Sequence, residues 1–394
     1  MTDVQVRGKK IALLDSSDNI IYTLPDSAGT AGNAIVTDGA GKLFFGGINL
    51  NSVLTAGDSS NLNATILGNV TLGDVTAKTL QFTGFEGIGA NATHGYTAGG
   101  RSSPPGTAQV TEGFRFSIAS GASESIGNTI AQKKELGAGF ASSTHGYSAG
   151  GRHGTPTAIA TDEIAKYIFS SSASAIDVGN LSAVRFSIGT GGQQSNTHGY
   201  VTGGNTGPTG SGLVNINEKV SFTSDANSVD VGDLTVAKQL TSKSSSSTHG
   251  YDAGGGIPTS TVGIDKFPFA TDTNSSNVSN LNAATTEGGG TSSGLHGYTI
   301  GGRTVSPGGT PRSDIQKFPF SIDLNATDVG DISPSAIGPS GHASSSHGFR
   351  TGGGTFSPFN TRGQIDTFPF SSSGNATNVG DLPAERYGTS GTQG

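Results

Sequence analysis

The chain has 394 residues, 64 of them glycine, with 32% hydrophobic residues, 13% charged residues and a formal net charge of −7. So low an apolar fraction argues against one thick helical core and for many thin β layers, and 19 Phe and 8 Tyr at regular spacing argue against simple low complexity. The lack of Cys excludes disulfides, thiolate metal ligands and a cysteine nucleophile, and an acidic chain without a basic patch is a poor fit to nucleic acid.

The first residues, MTDVQVRGKKIALLDSSDN, contain no signal-peptide apolar region, and no stretch reaches transmembrane length. We therefore expect neither classical secretion nor membrane insertion. Ile20–Gly47 (IIYTLPDSAGTAGNAIVTDGAGKLFFGG) and Asn61–Gly84 (NLNATILGNVTLGDVTAKTLQFTG) are β-prone and alternate with period two, but hold too few apolar residues for a monomeric core. Such segments are expected to pack against copies of themselves or a partner. The first resembles a stretch common in bacteriophage tail-fibre and related virion proteins, with the core LP followed by GTAGNAIVTDGAGKLFF. The second resembles the short β repeats of fibre shafts. The resemblance implies an attachment segment over residues 1–47 that binds other virion proteins and a β-rich connector over 48–84. It also implies a homo-oligomer, with a trimer favoured, in a virion assembled in the host cytoplasm.

From Thr93 onward one octapeptide recurs: THGYTAGG, THGYSAGG, THGYVTGG, THGYDAGG, LHGYTIGG and SHGFRTGG. Its histidines are His94, His145, His198, His249, His296 and His347, at intervals of 51, 53, 51, 47 and 51 residues. A period near 50 marks a repeat architecture. Each unit reads as four short strands. Strand A is a polar, glycine-rich stretch such as RFSIGTGGQQSN (Arg185–Asn196). Strand B is the HGY segment, ended by Gly-Gly. Strand C carries aromatics two apart, as in IDKFPF (Ile264–Phe269), and Pro268, Pro319 and Pro369 are expected to face away from a ladder partner. Strand D reads AIDVGNL, SVDVGDL, ATDVGDI or ATNVGDL. The one helix-like stretch is Ile130–Leu136 (IAQKKEL), long enough for a turn or two.

Six four-stranded units suggest an all-β, six-bladed propeller over residues 85–394, whose ring hides most strand edges. An A-like segment, AERYGTSGTQG (Ala384–Gly394), follows the last strand D and is expected to supply strand A of the blade that starts at Thr93. The double glycine after a short aromatic strand, the aromatic strand C and the polar turn before Leu resemble kelch repeats, as in galactose-oxidase-like propellers. The likeness spans about Phe85–Gly394 but lacks the Trp that kelch units often carry. A stacked β solenoid is the competing architecture; distinct capping units would mark it, and none is evident.

The repeated His is expected to be structural. Strand B lies second from the axis, so equivalent imidazoles stand on the order of 10 Å apart given strand spacings of ~4.8 Å, too far to share a metal. Each is expected to bond backbone while the Tyr ring fills the space between blades. The Asp of DVGD is expected to cap a turn, with calcium coordination as the alternative. With no paired acid and base, HExxH or nucleophile elbow, we expect no catalysis, metal or cofactor. The B–C connections differ in every unit while the framework repeats, which points to them as a contact face for a host-surface polysaccharide. Within them Arg101, Arg152, Arg303, Arg312, Phe356, Phe359 and Arg362 are the candidate binders, since Arg forks to sugar oxygens and Phe stacks on sugar rings. The leading expectation is a phage tail-fibre or receptor-binding protein. A non-receptor virion decoration protein and a polysaccharide-degrading enzyme are the alternatives.

Overall fold

A computed structural model describes five short strands between residues 4 and 46, and residues 92–394 apart from 103–108, 155–158, 208–211, 258, 305–308, 357 and 394. The connector expected over 48–84 and most B–C loop tips lie outside the described residues. The chain divides into two compact units, Met1–Thr79 and Leu80–Gly394. In the first, Val4–Arg7, Lys10–Leu14 and Ile20–Thr23 form a three-stranded antiparallel sheet. Ala34–Thr37 pairs with Leu43–Gly46 as a hairpin.

The second unit is a six-bladed propeller with no helix among its described residues. Strand B is the HGY segment in all six blades, and strand C lies antiparallel to it in one fixed register, from His94↔Ser117 and Ala98↔Gly113 to His347↔Pro369 and Thr351↔Ile365. Pro268, Pro319 and Pro369 stand at the end of strand C opposite the histidines, beyond the last pairs with strand D (Lys266↔Ser276, Lys317↔Thr327, Thr367↔Thr377). The missing proline donor is thus spared. The inner edge of the first blade is Ser390–Gln393, antiparallel to His94–Ala98, so the C-terminal end of the chain completes the blade at which the ring begins. The third blade departs from the pattern. Only Gln193–Ser195 reach its strand B, while Gly189–Thr190 runs parallel to Thr241–Ser242 of the next blade.

Packing between blades is aromatic. Each strand B aromatic meets at least one strand C ring of the next blade: Tyr96 stacks on Phe169 at 4.3 Å, Tyr200 on Phe269 at 4.7 Å and Tyr251 on Phe320 at 4.6 Å. The glycine after each histidine is imposed by this packing. A Cβ on Gly95 would stand 2.2 Å from the Phe116 ring, and one on Gly250 2.2 Å from Phe267. Towards the axis the inner strands come closer still. A Cβ on Gly290 would lie 2.1 Å from the Lys243 carbonyl, and one on Gly341 2.1 Å from that of Gly290. Backbone therefore packs against backbone across the middle of the ring.

Beneath one face runs a shell of charge pairs, buried except where Glu112 reaches solvent. Lys134, Arg185, Lys238 and Arg386, each two residues from the turn into an inner strand, meet strand C acids: Glu163 at 3.5 Å, Glu218, Asp265 at 3.2 Å and Glu112 at 2.8 Å. In the fifth link the place is taken by Thr285, which accepts from Gln316 at 3.0 Å. In the sixth it is Ala336, and the cation comes from Arg350 of strand B, 2.8 Å from Asp366. The helix-like stretch Ile130–Leu136 forms no helix. Its residues are mostly good helix formers, but Lys134 is drawn into the pair with Glu163 and Leu136 turns left-handed, which ends any helical course.

Candidate functional site

Consecutive strands are antiparallel, so the B–C and D–A connections emerge on one face and the A–B and C–D connections on the other. The chain enters the ring just before His94, on the A–B side. Each D–A link contains one residue with left-handed backbone: Leu136 (φ 60°), Ser187 (54°), Leu240 (56°), Glu287 (59°), Gly338 (62°) and Gly388 (64°). This conformation costs a non-glycine residue about 1–2 kcal/mol. It aims amide and carbonyl around the axis, and a circle of backbone hydrogen bonds results. Leu136 donates to Gly388 (2.9 Å), Gly388 to Gly338 (3.1 Å), Gly338 to Glu287 (2.8 Å), Glu287 to Leu240 (2.9 Å) and Leu240 to Ser187 (2.7 Å). Ile188 completes the circle by donating to Leu136 at 3.4 Å.

The residue before each left-handed position forms a two-residue bridge with the residue after a Gly-Gly pair: Tyr387 with Arg101, Glu135 with Arg152, Phe186 with Asn205, Gln239 with Gly256, Thr286 with Arg303 and Ile337 with Gly354. One backbone frame, repeated around the ring, thus displays a different side chain at every step. The frame encloses a dish of about 240 Å³ at the axis. Its apolar floor includes Leu136, Leu240 and Tyr387, which cluster with Ile337 and Phe359. Arg152, Asn205, Gln239, Glu287 and Arg303 add polar groups.

The charges here are coupled. Arg303 holds Glu287 Oε1 at 2.5 Å and the Tyr387 hydroxyl donates to Glu287 Oε2 at 3.0 Å. Burial raises the Glu287 carboxyl above its ordinary value against the pull of Arg303. Burial, followed by the nearby Glu287 and Glu135 charges, pushes the Tyr387 phenol well above its own, so it remains a donor. Glu135 accepts from Arg152 Nε at 3.0 Å and from Gln109 at 3.3 Å, with Arg101 4.0 Å away.

Of the residues singled out in the sequence, Arg152 and Arg303 line the dish, and Arg101 stands beside it over the Phe359 ring at 4.7 Å. Phe359 meets Tyr387 edge-on at 5.9 Å. Arg312 turns instead to Asp314, with two hydrogen bonds of 2.6 and 2.8 Å. Arg362 begins the part of strand C that pairs with strand D, opposite Arg386. Phe356 lies in the strand Gly354–Phe356, in register with Phe359; its side chain is outside the described residues.

The six histidines sit at the other end of strand B. Five of them bond through Nδ1 to the hydroxyl of the preceding residue, as in Thr93–His94 (2.9 Å) and Ser346–His347 (2.8 Å), rather than to backbone as expected. The strand's backbone need is met separately: the His145 carbonyl accepts from the Ser142 amide at 2.9 Å, and the same contact recurs elsewhere. Asp177, Asp230 and Asp328 of the DVG turns each accept from the glycine amide two residues on, at 3.1 Å. Among the described residues no three His, Asp or Glu side chains converge as a metal-ligand set.

Sequence reasoning missed Glu135, Glu287, Gln239 and Tyr387. Their signal is positional: each lies just before or at the turn two residues after Lys, Arg or Thr in the D–A link. The fold and dish define a β-propeller with a side-chain-variable axial face. No protein-family model matches the chain, and no curated protein is similar to it.

Proposed function

We propose that this chain is a non-catalytic bacteriophage virion component, a tail-fibre or receptor-binding protein, whose kelch-like propeller recognises a host-surface glycan on its B–C/D–A face. One observation carries the reading: side chains diverge at equivalent places around the dish while the backbone beneath them is repeated by bridges and the hydrogen-bonded circle. Constant frame with variable display is the arrangement expected of a recognition surface. The phage assignment rests on the likeness of Ile20–Gly47 and Asn61–Gly84 to fibre segments.

The test is an array of bacterial lipopolysaccharides and capsular polysaccharides probed with the full-length protein. The reading expects retention on a defined subset, lost when Arg101 and Arg152 are both replaced by Ala. Retention on none, or release of reducing sugars from the polysaccharide that is bound, contradicts it.

A further inference from the structure

Within that glycan-binding reading, on which this step rests, we propose that the axial dish is the primary subsite and that it takes the ring of one neutral sugar. Four observations converge on the dish. Leu136, Ser187, Leu240 and Glu287 hold left-handed backbone where glycine would be easier, and the sixth and first blades do use glycine there. All four line the dish. Strain retained at four equivalent positions, each with a side chain lining one cavity, points to the side chains as what is being kept. The third observation is size. A cavity of about 240 Å³ corresponds to about eight waters at ~30 Å³ each, room for one pyranose with its hydroxyls rather than a chain of sugars.

The fourth is charge. Arg152 is already held by Glu135 and Arg303 by Glu287. An entering anion would face the buried Glu287 carboxylate and would have to compete with it for Arg303. A hydroxyl fits without breaking a pair, because it accepts from a guanidinium N–H and donates to a carboxylate oxygen in one place. Asn205 and Gln239, joined at 3.1 Å, add amide groups of both polarities. The floor of Leu136, Leu240 and Tyr387 offers an apolar surface to the C–H face of the ring.

Saturation-transfer NMR on the full chain, with methyl glycosides of neutral hexoses and the matching hexuronates as probes, tests the proposal. Neutral glycosides should receive transfer and the hexuronates should bind at least tenfold more weakly. Arg303→Lys keeps the charge beside Glu287 but loses the planar fork, and should weaken neutral glycosides about tenfold with the fold intact by melting. Gln239→Trp fills the dish without touching the Arg–Glu pairs and should abolish transfer. Stronger transfer to hexuronates, or unchanged transfer in folded Gln239→Trp, overturns the proposal. The array separates the two levels: polysaccharide retained equally by wild type and Gln239→Trp overturns the dish but leaves the receptor reading standing. Retention of none by wild type removes that reading itself.

Discussion

At position 341 the chain has only a hydrogen where any other residue would drive a Cβ to 2.1 Å from the Gly290 carbonyl. The obstacle is the Gly290 backbone, so no side-chain rotation relieves it. Gly341→Ala is expected to destabilise by about 3 kcal/mol or more, whereas Gly374→Ala, with nothing within 4 Å of its Cβ, should change stability by less than about 0.5 kcal/mol. Denaturant midpoints of the two variants check the contrast. His342 gives a second residue-scale prediction. It is buried, with Nδ1 2.8 Å from the Thr392 carbonyl and Nε2 2.9 Å from the Thr351 hydroxyl, and burial lowers its pKa to about 4. The unfolded chain binds this proton below about pH 6.5 while the folded chain does not, so stability is full above that pH and declines towards pH 4. The loss from this group approaches about 3 kcal/mol at the acid end. Urea titrations between pH 4.5 and 7 should show a shallower slope in His342→Gln than in wild type; equal slopes would remove His342 from the account.

At the scale of elements, the ring depends on a four-residue strand from the far end of the sequence. Ser390–Gln393 bonds to His94–Ala98, the Thr392 hydroxyl meets Tyr167 of the second blade at 2.7 Å, and Ser340 contacts Thr389 at its carbonyl, at 2.9 Å. Deleting Ala384–Gly394 also removes Tyr387 and Arg386. The melting temperature should fall on the order of 10 °C, and calorimetry showing an unchanged transition would contradict the closure. At the outer edge, Asn227, Asn274, Asn325 and Asn375 each accept from an amide of the preceding blade at 3.0–3.1 Å. Asn274→Ala is expected to cost about 1 kcal/mol, read from its denaturant midpoint.

Elements also show what the sequence made legible. Strand B, strand C and the order of blades were readable because His, Gly and the aromatics recur at fixed offsets, and each answers one repeated packing need. The D–A links were not. Their left-handed positions hold Leu, Ser, Leu, Glu, Gly and Gly, residues with no common chemistry, because a circle of backbone bonds asks only for a conformation. Ile130–Leu136 misled for a related reason: AQKKEL is rich in helix-forming residues, yet Ile130 and Leu136 are buried at the end of one blade and in the turn into the next. Among the candidate binders, variability picked out Arg101, Arg152 and Arg303 but also Arg312, whose partner Asp314 lies two residues away on the strand it begins. Variability marks the face; only the fold separates side chains that point to the axis from those spent locally.

For the whole molecule, charge and polarity are arranged in layers. Aromatic rings join the blades, a shell of buried Lys/Arg–acid pairs lies under the D–A links, and a dish of mixed polarity stands above them at the axis. The closed ring supplies rigidity that separate loops would lack, and rigid display lowers the ordering cost of binding. If several chains assemble through their first unit, one weak sugar site per propeller gains from avidity. The most direct test of the account is a structure of the full-length protein bound to an oligosaccharide cut from a polysaccharide that the array selects. The account predicts one sugar ring seated at the axis within hydrogen-bond reach of Arg303 and Glu287. A ligand bound on the A–B/C–D face, or along the outer strands with the dish empty, would contradict it.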